Sequence, residues 1–140
     1  MATTRIAPAS VPWSGATEFY GPAAIYQGEP IFEVKQLSDR RAEGGGIAYP
    51  LKTTPPPGKL VKIVAVAQSD EHIFNFSGGA CTKSGKRLGA SGGYALNSKG
   101  QPHSAFIGEE TVSLVVYAGA PDEIKSIELI DLEPAPRDPV

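Results

Sequence analysis

Glycine and proline divide this chain into short apolar segments, and this division leaves little room for long helices. The sequence holds 16 glycines and 13 prolines in 140 residues. Between them lie β-branched runs such as residues 60–67 and 111–117, while helical periodicity is almost absent. Short strands with turn signals at close intervals are typical of a β-sandwich or a β-barrel. We therefore expect an all-β chain that forms one domain, as its length also suggests.

The chain divides into three regions by composition. Residues 1–30 lack periodicity but contain four large aromatic residues, which we expect to bury against the barrel or a partner subunit. The alternative is a mobile leader. Residues 133–140, with three prolines, are expected to form a disordered tail. Residues 31–132 are expected to form the β-sandwich or barrel, with a hairpin turn at Ser84-Gly85 and strands at 31–37, 46–52, 60–67, 111–117 and 124–132.

Charge and cysteine content limit the partners and the compartment. The formal net charge is -2 and basic residues form no run, so nucleic acid and anionic membranes are poor partners. Cys81 is the single cysteine, which excludes an internal disulfide framework and fits a reducing cytosol. The sequence shows neither a leader pattern nor an apolar stretch of membrane-spanning length. We predict a cytoplasmic protein.

Two stretches carry glycines at fixed distances from polar residues. In the first, Gly58 is followed after five residues by the segment 64–66, after four more by Glu71, and after six more by Gly78. Glycine at such positions fits sharp reversals or a positive φ.

The second stretch contains Gly92, Gly100 and His103, with Ser98 and Ile107 between and after them. Together the two stretches resemble the paired motifs of the cupin family, which has a proline where Ser98 stands and an asparagine where Ile107 stands. The resemblance implies a cupin-type β-barrel, or jelly roll, of two antiparallel sheets.

The resemblance also implies where a metal would lie. A cupin metal site uses three imidazoles and one carboxylate, which suits iron, manganese, nickel, copper or zinc. Here Val64 and Val66 occupy two of the histidine positions, which leaves Glu71 and His103. His72 is adjacent to Glu71 and points to the opposite face of a regular strand. We therefore expect no metal cofactor; the alternative is a divalent transition metal held by Glu71, His103 and His72.

Without a metal, cavity-facing polar residues become the catalytic candidates. His103 is either an acid/base or a family remnant, and burial would raise the pKa of Glu71 enough to make it a proton donor or base. Lys62 shares strand parity with Val64 and is expected to face the cavity. Alternatively, the strand bends and Lys62 stays at the cavity mouth, or Lys62 forms a salt bridge with Glu71. Lys62 or Tyr94 would stabilise an enolate-like charge, although Tyr94 also fits a position in the core or at the rim.

Three functions fit these residues. The first is a metal-independent isomerase, epimerase or lyase that moves protons on a small hydroxylated or carbonyl substrate. The second is a metal-dependent cupin dioxygenase that acts on a hydroxyketone-like substrate, and the third is a non-catalytic ligand-binding cupin. The valines favour the first and the third. We also expect a homodimer, because the aromatic N-terminal segment and the long apolar strands need to be covered.

Overall fold

A computed structural model describes residues 3–89 and 92–132 of the chain, and just under half of these residues lie in antiparallel strands. One short α-helix, α1 (Thr17–Tyr20), and three 3-10 turns, Pro8–Ser10, Gly21–Ala24 and Arg41–Glu43, accompany the strands. The strands are β1 (Ser14–Gly15), β2 (Ile25–Tyr26), β3 (Glu29–Pro30), β4 (Phe32–Val34), β5 (Ser38–Asp39), β6 (Ile47–Thr53), β7 (Lys59–Val66), β8 (Glu71–Ser77), β9 (Ala80–Cys81), β10 (Tyr94–Asn97), β11 (Pro102–Ile107), β12 (Thr111–Tyr117) and β13 (Glu123–Asp131).

Two antiparallel sheets carry the apolar residues of the domain. The larger has the strand order β1-β4-β6-β12-β8-β10, with β5 also paired to β6, and the smaller has the order β13-β7-β11-β9. Alternation along the strands buries one face of each, as in β12, where Val115 and Tyr117 are buried and their neighbours are not. Val61 of β7 and Ile107 of β11 join the same apolar cluster from the smaller sheet. The core therefore lies between the two sheets.

Strand register fixes which side chains can meet at one end of this interior. In the larger sheet, Glu71 at the start of β8 lies opposite Tyr117 of β12 on one side and Asn97 of β10 on the other. In the smaller sheet, His103 of β11 lies opposite Ala65 of β7, which itself lies opposite Ile124 of β13. Directly opposed residues share a face of the sheet. His103 Nε2 lies 3.7 Å from Glu71 Oε1, so these two sets line the same end of the interior.

The N-terminal segment packs its aromatic residues on the larger sheet. Phe19 stacks on Tyr49 with ring centroids 4.7 Å apart, and Tyr20 stacks on Phe32 at 4.5 Å. Trp13 lies farther out, with the ammonium groups of two lysines each 4.8 Å from its ring centroid. Tyr20 is consequently buried, and its phenol reaches the interior.

The strands that the sequence predicts at 60–67, 111–117 and 124–132 are present as β7, β12 and β13. The hairpin at Ser84-Gly85 is present too, since the amide of Thr82 donates to the carbonyl of Lys86 at 2.9 Å. The expected tail at 133–140 lies outside the described residues. In the described part of the chain, no helix has the length and apolar character needed to cross a lipid bilayer.

Candidate metal centre

A cavity of about 390 Å³ lies between the two sheets. Its volume is in the range of small-molecule sites. Apolar side chains from both sheets form its middle, among them Leu51, Ile63 and Val115. Polar residues gather toward its ends, where a ligand could be oriented.

Glu71 and His103 both line this cavity, as their motif positions predict. The side chain of Glu71 is 6% exposed and that of His103 is 19% exposed. His103 Nε2 lies 3.7 Å from Glu71 Oε1. Two strands from different sheets thus bring one imidazole and one carboxylate together.

Asp122 is a third ionisable residue at this end, and it lies outside both glycine-framed stretches. Its carboxylate Oδ2 lies 2.8 Å from His103 Nε2, and its side chain is 6% exposed. The loop that carries it is tied to the turn before Glu71, because the Ser69 hydroxyl donates to the carbonyl of Ala120 at 2.8 Å. The amide of Gly119 donates back to the same hydroxyl at 3.0 Å. These bonds join two segments that lie about 50 residues apart in sequence and so hold Asp122 beside Glu71.

The three side chains converge, and two of their buried atoms are left without a hydrogen-bond partner among the described residues. His103 Nε2 and Asp122 Oδ1 are buried and have no hydrogen-bond partner among the described residues, so the 2.8 Å contact lacks hydrogen-bond geometry. Burial, and then the negative charge of Glu71, raises the pKa of the Asp122 carboxyl to about 8. Two buried carboxylates this close need a proton or a cation between them.

These residues fit a divalent metal ion. One ligand atom from each of Glu71, His103 and Asp122 can be chosen so that all three lie within 4.8 Å of one another. Metal–ligand bonds of about 2.0–2.2 Å at ordinary angles separate ligand atoms by roughly 3–3.6 Å, close to the distances found here. One imidazole and two carboxylates suit iron, manganese or zinc, and three protein ligands leave positions open for a substrate.

The expectation that this chain carries no metal cofactor is therefore wrong. Glu71 and His103 alone would be too few ligands for a tight transition-metal site. Asp122 supplies the third ligand from a loop that lies outside both motifs. The sequence signal for it is slight, since an aspartate after Pro121 reads equally well as a turn residue.

A second layer of polar groups surrounds the three ligands. The Asn97 side-chain amide donates to Glu71 Oε1 at 2.9 Å and so fixes the orientation of that carboxylate. The phenols of Tyr20 and Tyr117 reach the cavity, and the hydroxyls of Tyr20 and Tyr49 lie 3.3 Å apart. Burial raises the pKa of all three phenols, that of Tyr49 to about 12. All three therefore stay protonated, and those of Tyr20 and Tyr117, which line the cavity, can donate hydrogen bonds into the site.

Lys62 does not face this cavity, which corrects the geometry predicted for it. Its ammonium group lies over the Phe106 ring, 6.0 Å from the centroid, and neither residue lines the cavity. Ile63 is the residue of β7 that does, and Ala65 lies opposite His103. Val64 and Lys62 therefore occupy the outer face. The motif spacing predicts an inward direction for Lys62 and Val64 because it counts residues from β7 to Glu71 across a loop. Side chains do not alternate regularly in that loop, so the count does not fix their direction.

Tyr94 and His72 form a contact on the outer side of the larger sheet. Tyr94 contributes to the cavity lining, but its hydroxyl lies 2.6 Å from His72 Nδ1, and its ring packs on Phe74 at 5.1 Å. His72 is not among the cavity-lining residues, in agreement with its predicted direction. The structure thus brings Glu71 and His103 together and leaves Lys62, His72 and the Tyr94 hydroxyl away from the metal ligands.

Two solved structures share this arrangement of sheets at low sequence identity. A protein of Methylibium petroleiphilum PM1, provisionally assigned as an acetylacetone dioxygenase, aligns with a TM-score of 0.59 and 14% identity over 89% of this chain and 88% of its own. An RmlC-like cupin protein of Ralstonia eutropha JMP134 aligns with a TM-score of 0.56 and 15% identity over 92% of this chain and 80% of its own. No protein-family model and no curated protein sequence matches the chain. The similarity confirms the predicted all-β cupin fold.

Proposed function

We propose that this cupin-fold protein is a metal-dependent dioxygenase that acts on a small carbonyl-bearing or hydroxyketone-like molecule. The observation that carries the proposal is the convergence of Glu71, His103 and Asp122 on one point of the cavity, where buried atoms of His103 and Asp122 lack hydrogen-bond partners within the described part of the chain. The provisional assignment of the Methylibium structure as an acetylacetone dioxygenase agrees with it. The metal-independent isomerase or lyase has less support, because its candidate oxyanion-binding groups lie elsewhere.

A divalent metal held by these three residues would polarise a substrate oxygen and, if redox-active, would allow reaction with dioxygen. The remaining chemistry belongs to the protein. Asn97 holds Glu71 in one orientation by its 2.9 Å hydrogen bond. The apolar walls exclude water, which strengthens polar interactions inside the cavity. The protonated phenols of Tyr20 and Tyr117 can donate to an oxygen on which negative charge develops.

Oxygen consumption tests the proposal directly. Protein loaded with Fe(II) under anaerobic conditions is mixed with pentane-2,4-dione or with hydroxyketones, and oxygen uptake and products are measured. We expect uptake in wild-type protein and its loss in Glu71→Gln. Glu109→Gln is the matched control, because Glu109 lies on the surface and pairs with Arg87. This variant should retain activity.

The same experiment separates the other functions. Conversion of a substrate by chelator-treated protein without oxygen uptake would contradict the dioxygenase proposal in favour of an isomerase or lyase. Ligand binding without turnover, under Fe(II), Mn(II) and Zn(II) alike, would instead identify a non-catalytic binding protein.

We also propose a homodimer formed through the outer face of β8 and β10. Phe74, Phe76 and Tyr94 are 42%, 58% and 55% exposed there, and β10 is an edge strand. Such an apolar patch on a sheet edge commonly marks an interface. Light scattering at micromolar concentration should give the mass of two chains, and Phe76→Ser should shift it toward one. A single-chain mass for the wild type would contradict the dimer.

A cytoplasmic location is also proposed, supported by the buried free thiol of Cys81, whose pKa burial raises. An inert thiol of this kind suits a reducing compartment. Fractionation of the source cells with an antibody against the protein tests this location, and recovery from an extracytoplasmic fraction would contradict it.

A further inference from the structure

Charge is distributed unevenly along the cavity. Glu71, His103 and Asp122 lie together at one end, and no lysine or arginine is among the described residues that line the cavity. A ligand that carried a carboxylate or phosphate away from the metal would therefore find no cation to pair with. Burying an unpaired charge is costly, so the cavity disfavours an anionic tail.

The opposite end of the cavity carries neutral polar side chains, which we name the distal polar cluster: Thr53, Asn75, Thr111 and Ser113. Three of these residues have partners within the protein. The Ser113 hydroxyl donates to Asn75 Oδ1 at 3.3 Å, and the Asn75 amide donates to the carbonyl of Gly78 at 2.7 Å. The Thr111 hydroxyl accepts from the amide of Gly79 at 3.0 Å.

Thr53 differs from the rest of the distal polar cluster. It is 3% exposed and lines the cavity, yet its hydroxyl makes no hydrogen bond with any described residue. Its oxygen is not one of the fully buried side-chain atoms without a partner, which among the described residues are His103 Nε2 and Asp122 Oδ1. The hydroxyl is therefore accessible from the cavity, and a ligand there can hydrogen-bond to it.

Strand register sets the distance between the two ends. Tyr117 lies opposite Glu71, and Thr111 lies opposite Thr53, six residues away along β12. At about 3.3 Å per residue the offset is up to roughly 20 Å. After a hydrogen-bond contact of about 3 Å at each end, roughly 14 Å remain for the ligand. An extended chain covers about 1.2 Å per bond, so this length corresponds to about eleven bonds at most.

We infer that the cavity takes an elongated, uncharged molecule with an oxygen at each end. One end, the reacting carbonyl, lies at Glu71, His103 and Asp122, and this part rests on the proposed function. The other end carries a neutral hydroxyl or carbonyl that hydrogen-bonds to Thr53. The apolar residues between the ends, such as Ile63 and Val115, contact a hydrocarbon linker.

Three matched probes test this inference: nonan-2-one, 9-hydroxynonan-2-one and 8-oxononanoate, which differ only at the end remote from the ketone. Their dissociation constants are measured by calorimetry on Zn(II)-loaded protein, which prevents oxidation, and on chelator-treated protein. We expect 9-hydroxynonan-2-one to bind about 3–10-fold more tightly than nonan-2-one, the gain of one hydrogen bond. We expect 8-oxononanoate to bind at least about 10-fold more weakly than the hydroxyketone.

The variant Thr53→Val removes the hydroxyl and keeps the shape. We expect it to abolish the preference for 9-hydroxynonan-2-one, to leave the affinity for nonan-2-one unchanged, and to preserve or raise the unfolding temperature. Thr54→Val is the matched control, because Thr54 is the next residue and lies outside this cavity; it should keep the preference.

Equal affinities for the alcohol and the ketone, tighter binding of the carboxylate, or no binding of any probe would each overturn the inference. Equal losses for all probes in Thr53→Val would also overturn it, since they would indicate altered packing. A failure of the proposed function is distinguishable, because it would appear as absent metal binding or absent oxygen uptake. The preference at the distal polar cluster is measured with and without metal.

Discussion

Replacing Asp122 with asparagine should change the free energy of unfolding in opposite directions with and without metal. The substitution keeps the size of the side chain but removes its negative charge. With metal, one of three ligands is weakened; without metal, the repulsion between two buried carboxylates disappears. A purely structural role for Asp122 would not produce this change of sign.

The metal-bound effect follows from mass action. A metal that binds only the folded state at a concentration about 100 times its dissociation constant stabilises the protein by about 2.7 kcal/mol. Loss of a residue that merely supports a ligand weakens metal binding by about 10–100-fold, so loss of the Asp122 carboxylate should reach at least the upper value. At the same metal concentration, metal binding should then stabilise the Asp122→Asn variant by only about 0.4 kcal/mol.

The metal-free effect follows from the raised pKa of Asp122, which is about 8 instead of 3.8. The folded state holds this proton more tightly than the unfolded state, so the contribution of Asp122 to stability is lost as pH rises from about 4 to 8. The asparagine of the variant cannot ionise and escapes this loss. The full shift corresponds to about 5–6 kcal/mol. Solvent at the cavity mouth and sharing of the proton with Glu71 should reduce the difference at pH 8 to about 1–2 kcal/mol.

Urea unfolding at pH 8, with excess chelator and with excess Zn(II), measures both effects. Asp131→Asn is the matched control, because Asp131 is an exposed residue of β13 paired with Lys59; its metal-induced gain should equal that of the wild type. An equal gain in Asp122→Asn, or a metal-free variant less stable than the wild type, would refute the reasoning.

Three further predictions follow from individual contacts. Asn97→Ala should weaken metal binding about 10–100-fold in calorimetry, because Glu71 loses its orienting hydrogen bond, and an unchanged affinity would exclude that role. The raised pKa of Tyr49 means that the folded state keeps a proton that the unfolded state loses, so up to about 2–3 kcal/mol of stability should disappear as pH rises from 10 to about 12. Tyr49→Phe should remove this share of the loss in unfolding curves and leave the share of Tyr20 and Tyr117, whose pKa values burial also raises, and an unaltered curve would argue against it. Gly46→Ala should cost about 3 kcal/mol or more in urea unfolding, because its Cβ would overlap a carbonyl oxygen of β12. Gly15→Ala, with open space around it, should cost far less, and equal costs would contradict the overlap.

The strands and their class could be read from the sequence because β-branched runs and turn residues act locally. The runs at 60–67 and 111–117 need only their own side chains to favour an extended backbone, and both became strands. The two glycine-framed stretches also placed Glu71 and His103 in one cavity. The spacing predicts this common cavity because it resembles the paired cupin motifs, and the cupin fold determines where residues of these motifs lie.

The spacing of the glycine-framed stretches does not predict the side-chain direction along β7 correctly. Alternation is reliable within a strand, but the motif counts residues through the loop between β7 and β8. A shift of one residue there exchanges the two faces. Lys62 and Val64 consequently lie outside, while Ile63 and Ala65 take the inner positions.

The sequence by itself determined an all-β chain, its main strands, and the pairing of one histidine with one glutamate in a common interior. Only the tertiary structure decided that this pair is a candidate metal centre. Asp122 reaches it because hydrogen bonds between Ser69 and the loop at 118–122 join segments about 50 residues apart. Contacts of this kind depend on how two sheets and their loops come together, and no local preference of Asp122 or its neighbours encodes them.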